Sequence, residues 1–306
     1  MSWMPTREPE CDAMIADDGI EMLIQPRLRD LGGFSVSRIL PALERKTVGP
    51  FIFFDHMPAR DVPPGEGMNV RPHPHIALAT VTYLFEGEFV HRDSLGSHEM
   101  VRPGDINWMT AGRGIVHSER THPDRVRTGG RSHGIQLWVA LPRVHEETEP
   151  AFHHHDKDAL PRVNGPGYSA RILIGEAFGK RSPVKIFSPM FYVDVEAEAG
   201  SVLELPHEYE ERALYLLSGQ VRSAGKTFDH TQMIIFKKNR QIRLHIESKA
   251  RFILLGGDPL DGPRFIWWNF IASSQDRIEQ AKQDWKDGRF PKIPGDSEEF
   301  IPLPES

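Results

Sequence analysis

Gly67-Met68-Asn69-Val70-Arg71-Pro72-His73-Pro74-His75 and, after 41 intervening residues, His117-Ser118-Glu119 bound the stretch that decides how this chain is read. Successive side chains on a β-strand point to opposite faces, so His73 and His75 share one face of their strand, and His117 and Glu119 share one face of theirs. Pro72 and Pro74 push Arg71 and His73 away from helical φ/ψ, which favours extended backbone at the first pair. Proline cannot donate to a sheet ladder, so the pair belongs at a rim or a strand start, as at a barrel mouth. Brought together by strand pairing, three imidazoles and one carboxylate form a mixed nitrogen and oxygen set suited to first-row transition metals such as iron, with positions open for substrate or oxygen. One H-x-H pair among 15 histidines arises readily by chance; the second pair at the same spacing lifts the reading above that.

The residues between the pairs carry the pattern of a small all-β barrel. Ala79 to Phe85 reads as a strand, Glu86-Gly87 as a turn and Glu88 to His91 as the returning strand. Arg102-Pro103-Gly104-Asp105 turns into Ile106 to Met109, and Thr110-Ala111-Gly112-Arg113-Gly114 turns again before Ile115-Val116-His117. This order of turns places the two pairs on neighbouring strands.

His73-x-His75, the Pro103-Gly104-Asp105 turn, Trp108, Ala111-Gly112 and His117 resemble the two motifs of the cupin superfamily. More closely, four segments are similar to the pirin family: Gly49 to Met57, His91-Arg92-Asp93-Ser94-Leu95-Gly96, Gly112 to Glu119, and the ending Ile278-Glu279-Gln280-Ala281-Lys282-x-Asp284-Trp285. The general cupin pattern has a glutamate a few residues after H-x-H, where this chain has Ala79 and Thr80; Glu119 replaces it, which is the pirin arrangement. The resemblance implies an all-β chain of two double-stranded β-helix (cupin) barrels with a short C-terminal helix. It also implies a single divalent transition metal, Fe(II), in the first barrel only. The expected boundaries are 1–147 for the metal-binding barrel, 148–185 for a linker, and 186–306 for a barrel without metal followed by helix and tail.

The second half repeats the first. Tyr215-Leu216-Leu217-Ser218-Gly219-Gln220-Val221 matches Tyr83 to Phe89 at an offset of 132 residues, as in a duplicated barrel. At that offset His207 answers to His75, but Leu205 stands where His73 would be, and His245 and Glu247 match His117 and Glu119 only after a further slide of four residues. After Trp267-Trp268-Asn269-Phe270, a helix is expected from about Gln275 to Asp287. Ser273 or Ser274 would cap its start and Gly288 its end, with Ile278, Ala281 and Trp285 as a stripe docked on the chain's own barrel. From Pro291 an irregular tail follows.

The totals exclude several classes. A chain of 306 residues buries about three quarters of its unfolded surface, enough for cores without covalent staples. Cys11 is the single cysteine, so no intrachain disulfide forms. The start Met1-Ser2-Trp3-Met4-Pro5 lacks a basic region followed by an apolar one, and no apolar run approaches a membrane span, so the expected place is the cytoplasm, away from membranes. A net charge of −6 argues against direct nucleic-acid binding, with Lys237-Lys238-Asn239-Arg240 read as a solvated turn.

Other residues receive more local readings. Phe34, Val36 and Ile39 supply inward positions around Gly32-Gly33. Asp55 and His56 either orient a ligand imidazole or simply end a strand. The Pro and Gly loop Arg60 to Gly67 is placed to cover the site. His91, His98, His122 and His133 read as surface or locally hydrogen-bonded residues, and His153-His154-His155-Asp156 as a loop cluster too little preorganised for a metal.

The functional expectation is an iron-dependent dioxygenase of the quercetinase type, since some pirin-family members cleave the flavonol quercetin with O2. In that reading His73, His75 and His117 hold the metal, and Glu119 both ligates and takes the proton of the flavonol 3-hydroxyl. The alternative is a redox-sensing protein that binds a protein partner without turnover, because pirin relatives are described as transcriptional coregulators. A third option is a structural zinc or nickel site, which ligand identity alone leaves open.

Overall fold

The structure, a computed structural model, describes residues 19–30 and 34–304. Cys11 and the Gly32-Gly33 pair lie outside those residues. Two antiparallel barrels are each built from one large and one four-stranded sheet. The large sheet of the first barrel runs, in spatial order, through Ala151–His155, Ile106–Thr110, Leu78–Glu86, Gly130–Ala140, Phe51–Val62, Ser35–Leu40 and Arg27–Asp30. Its small sheet runs Asn69–His75, Ile115–Arg120, Phe89–Asp93 and His98–Val101. In the second barrel the large sheet centres on Glu211–Ser218, Ala250–Gly257 and Met190–Ala197, and the small sheet on Val202–Glu204, Arg243–Ile246 and Val221–Ser223. The expected all-β pair of barrels is thus present, with its C-terminal helix.

Strand Leu78–Glu86 is buried along nearly its whole length, which explains why only Thr80 and Thr82 interrupt its apolar run. Ala79, Val81, Tyr83 and Phe85 point outward into a core shared with Tyr192, Tyr215, Ile253 and Leu255 of the second barrel. Leu78 and Leu84 point the other way, into apolar clusters of the first barrel. Both faces are covered, so alternation is lost. Each such buried side chain contributes roughly 1.5–3 kcal/mol, which makes the two large sheets one packed unit rather than loosely tethered modules.

The duplication preserves this outer face and changes the inner one. Tyr215, the counterpart of Tyr83, is fully buried in the same shared core, whereas Leu214 stands where the first barrel has Thr82. Leu214, Leu216, Leu244, Phe252 and Leu254 fill the second barrel. His207 and Glu247 are exposed there, and Glu247 is paired with Arg222. The ligand types that the repeat retains in sequence do not converge in space.

Two expectations about organisation need correction. The stretch read as a linker, 148–185, carries strands: Ala151–His155 pairs with Ile106–Thr110 of the first barrel, and Tyr168–Ala177 pairs with Met190–Ala197 of the second. The run His153 to His155 is therefore strand, not loop. Near the other end, Ile20–Ile24 adds to the second barrel's sheet beside Gln232–Phe236 before the chain enters the first barrel. Phe34 is half-buried, and Val36 and Ile39 are core residues as expected.

The helix spans Gln275–Lys286 with Ser274 at its N-cap position, but no side chain closes that end. Ser273 instead gives its N–H and hydroxyl to the buried Glu146 carboxylate. Gly288, in the left-handed region at φ 68°, ends the helix by donating to the Trp285 carbonyl. Ile278 and Ala281 pack with Ile76, Val116 and Phe270 behind the small sheet, and Trp285 is half-buried against them. The tail after it is irregular but tethered: Trp285 Nε1 donates to the Ile301 carbonyl, and Ile301 N donates to the Pro72 carbonyl.

Gly112, in the turn leading to His117, is a backbone position with no room for a side chain. Its φ is +50°, and an added Cβ would lie 1.9 Å from the Thr148 carbonyl oxygen. Gly112→Ala is expected to destabilise the fold by more than about 2 kcal/mol, read as a lowered melting temperature. Unchanged thermal stability would refute this.

Candidate metal centre

Strands Asn69–His75 and Ile115–Arg120 are neighbours, with His117 opposite His73 and Ile115 opposite His75. The register then shifts, so that Glu119 faces Val70, which puts an extra residue on the proline-bearing strand. One ligand atom from each of His73, His75 and His117 lies within 4.8 Å of the others. Their ring centroids are 4.4 to 5.1 Å apart. Glu119 groups at the same distance with His117 and with His91. All four expected residues are buried, and His73, His75 and Glu119 line one cavity.

The hydrogen bonds around the imidazoles fix their tautomers. His73 Nδ1 donates to the Arg71 carbonyl at 2.9 Å, and His75 Nδ1 to the Asn269 carbonyl at 3.0 Å. Each therefore keeps an unprotonated Nε2, the form a metal requires. Both nitrogens of the buried His117 lack any hydrogen-bond partner. A buried polar atom left without a partner costs about 1–3 kcal/mol, and a cation among the three rings would remove that cost. The donor set present fits a first-row transition metal.

Electrostatics point the same way. Burial lowers His73 to about 4, with His91 adding to the effect and the Arg71 bond opposing it. Burial, then the neighbouring histidines, hold His75 and His117 well below the ordinary imidazole value. All three rings are neutral at pH 7. Burial raises Glu119 to about 7, against hydrogen bonds from Thr82 and Gln136. The Thr82 hydroxyl stands 3.3 Å from Glu119 Oε1 and 2.8 Å from Gln136 Oε1.

Several other expectations resolve differently. Asp55 and His56 sit within the long strand Phe51–Val62, not at a strand end, and point to opposite faces. Asp55 faces the cavity and binds Arg38 through both oxygens at 2.8 Å. His56 faces the second barrel, 2.9 Å from the Tyr215 hydroxyl and 2.9 Å from His133 Nε2. Neither touches a ligand imidazole; backbone carbonyls perform that orientation. Residues 60–67 do not line the cavity, whose mouth is flanked by Trp268, Asn269 and Ile301. His98 is exposed, and His122 accepts from Asp124 N at the start of a short helix.

His91 is the site residue that sequence reasoning placed too far out. It is buried, stacked on Phe152 at 4.3 Å, bound to Asp93 at 3.2 Å and opposite Glu119 in register. Asp93 in turn accepts from the N–H groups of Leu95 and Ser97. A signal existed, because His91-x-Asp93 has the same spacing as the two ligand pairs.

Together the fold and the site define a two-barrel cupin protein whose first barrel carries one histidine-rich, carboxylate-bearing centre open to a cavity. Residues 33–139 match the family description "Pirin" and residues 192–291 match "Pirin C-terminal cupin domain". A pirin-like protein of Caulobacter vibrioides is 50% identical over 290 residues, covering 94% of this chain and 100% of that one. The chain belongs to the pirin family. Among solved structures, quercetin 2,3-dioxygenase from Acinetobacter baumannii superposes with a TM-score of 0.87 at 33% identity, covering 95% of this chain and 97% of that one. A second quercetin 2,3-dioxygenase structure from the same organism gives a TM-score of 0.82 at 27% identity, covering 89% of this chain and 97% of that one.

Proposed function

We propose that this protein is a metal-dependent dioxygenase that opens flavonol-like phenolic rings with O2, with His73, His75, His117 and Glu119 as the ligands of one iron(II). The observation that carries it is His117, fully buried with both ring nitrogens unpartnered between two other imidazoles whose tautomers leave Nε2 free. A divalent metal held there would supply a Lewis-acidic, redox-active point at which a hydroxylated ring and oxygen meet.

The chain's own residues do the rest. Glu119, raised to about 7, is matched to accept a proton from a phenolic hydroxyl near neutral pH. Thr82 and Gln136 hold the carboxylate in place. Trp138, stacked on Phe53 at 4.0 Å, gives the cavity of about 570 Å3 an aromatic lining suited to an aromatic substrate. The first barrel would carry the chemistry, and the second barrel would support it through the shared core.

The test is oxygen uptake by iron-loaded protein with quercetin, followed by identification of the product. Stoichiometric loss of O2 with ring opening is the expected result. A centre that changes oxidation state yet consumes no oxygen with any flavonol would favour the redox-sensing, partner-binding alternative in place of turnover. No helix among the described residues is long and apolar enough to cross a membrane.

A further inference from the structure

The same cavity holds four charged side chains: Arg38, Asp55, Arg71 and Glu119. Arg38 and Asp55 neutralise one another through two parallel hydrogen bonds, with the Arg38 guanidinium 4.4 Å over the Phe53 ring. That ring continues a stack. His75 meets Trp138 edge-on at 5.0 Å, Trp138 lies flat on Phe53, and Phe53 lies under Arg38. One wall of the cavity is therefore a continuous run of rings from a candidate ligand to a cation.

Arg71 is different. It lies on the strand of His73, two residues before it, and lines the same cavity. That separation is one pleat repeat, about 6.5 Å in a regular strand. Among the described residues its guanidinium makes no hydrogen bond and no ion pair, although its carbonyl holds His73. A half-buried guanidinium beside a substrate cavity, with its fork of donors unused, is suited to one kind of partner, a planar anion such as a carboxylate.

We propose that the cavity takes a planar phenolic acid, its hydroxyls toward His73 and its anionic group on Arg71, so that Arg71 selects charged over neutral aromatics. This rests on the reading of the cavity as the substrate site but not on turnover. Arg38 and Asp55, already satisfied, form the wall against which the ring lies. Selection arises because a neutral analogue leaves the Arg71 charge desolvated and unpaired when the cavity fills, whereas a carboxylate pairs with it.

The test is equilibrium binding, by calorimetry on the full-length metal-loaded protein, of a matched pair: 3,4-dihydroxycinnamate and its methyl ester. The two share ring and hydroxyls and differ in charge. Wild type is expected to bind the carboxylate about 10–100-fold more tightly than the ester, the range of a charged hydrogen bond. In Arg71→Gln the two should bind alike, the carboxylate more weakly and the ester more tightly than in wild type because no guanidinium is left unpaired, and Arg71→Lys should recover part of the preference. Among the described residues the Arg71 side chain makes no hydrogen bond or ion pair, so both variants are expected to melt within a few degrees of wild type. A carboxylate that binds no better than its ester, including one that does not bind, overturns the proposal. So does a preference that survives in Arg71→Gln. Selective binding without oxygen uptake would sink the dioxygenase reading and leave this one standing, while oxygen uptake with quercetin and no charge preference would do the reverse.

Discussion

Replacing His117 by alanine is expected to give a folded protein that retains less than about a tenth of the wild-type metal after dialysis and has no measurable oxygen uptake with quercetin. The reasoning begins with what the side chain contributes without a metal. Its ring is buried among His73, His75 and His91, with centroids 4.4, 5.1 and 5.3 Å away, and neither nitrogen is hydrogen-bonded. In the metal-free protein that arrangement is a liability, because a desolvated imidazole receives nothing in exchange for lost water. Removing it costs packing, a few kcal/mol at most, and returns part of the unsatisfied polar cost. The loss of a central ligand common to both histidine groups, by contrast, leaves neither group with three donors. Metal analysis and a thermal melt on the same sample check both halves. A His117→Ala protein that keeps a full metal complement would refute the centre proposed above.

How far the sequence carried this site follows from the strand period. His73, His75, His117 and Glu119 were legible because two residues apart on a strand means one face, and because turns around Gly104 and Gly112 bring the two strands together. The same rule, applied to Asp55 and His56, would have shown that adjacent residues cannot both face the centre; their opposite fates, Arg38 and Tyr215, follow from it. His91 required the register of Phe89–Asp93 against Ile115–Arg120, and its burial needs Phe152 from a strand that sequence composition disguised as loop. The cavity mouth was least legible. Asn269 orients His75 from 194 residues away, and Trp268 and Ile301 come from a hairpin and a tail with no local signal of where they dock. Long-range docking of irregular segments leaves no period to read.

Glu119→Gln is expected to make the metal-free protein more stable at pH 8 and less able to bind metal, the two effects coming from one carboxyl group. Burial raises this group from an ordinary value of 4.5 to about 7. A raised carboxyl means the folded state holds its proton more tightly than the unfolded chain does. Between about pH 4.5 and 7 the unfolded chain ionises while the folded one resists, so stability falls as pH rises through that window and levels off above it. The span corresponds to no more than about 3.5 kcal/mol. Glutamine has no charge to bury, so its advantage over wild type should be near zero at pH 5 and largest at pH 8. Stability that His73, lowered to about 4, loses as pH falls below its ordinary 6.5 is common to both proteins and cancels in the comparison. Metal uptake turns the argument round. The imidazoles are already neutral, so the proton that a cation must displace at pH 6 to 7 is the one on Glu119. Wild-type affinity should weaken about tenfold for each pH unit below 7, and the variant's profile should be flat and lower. Denaturation of chelator-treated protein at pH 5 and 8, with competition titrations of the metal at pH 6, 7 and 8, measures both. Parallel stability curves for the two proteins would show that Glu119 is not held as a strained, proton-hungry carboxyl, and the case for it as the group that takes a substrate proton would go with it.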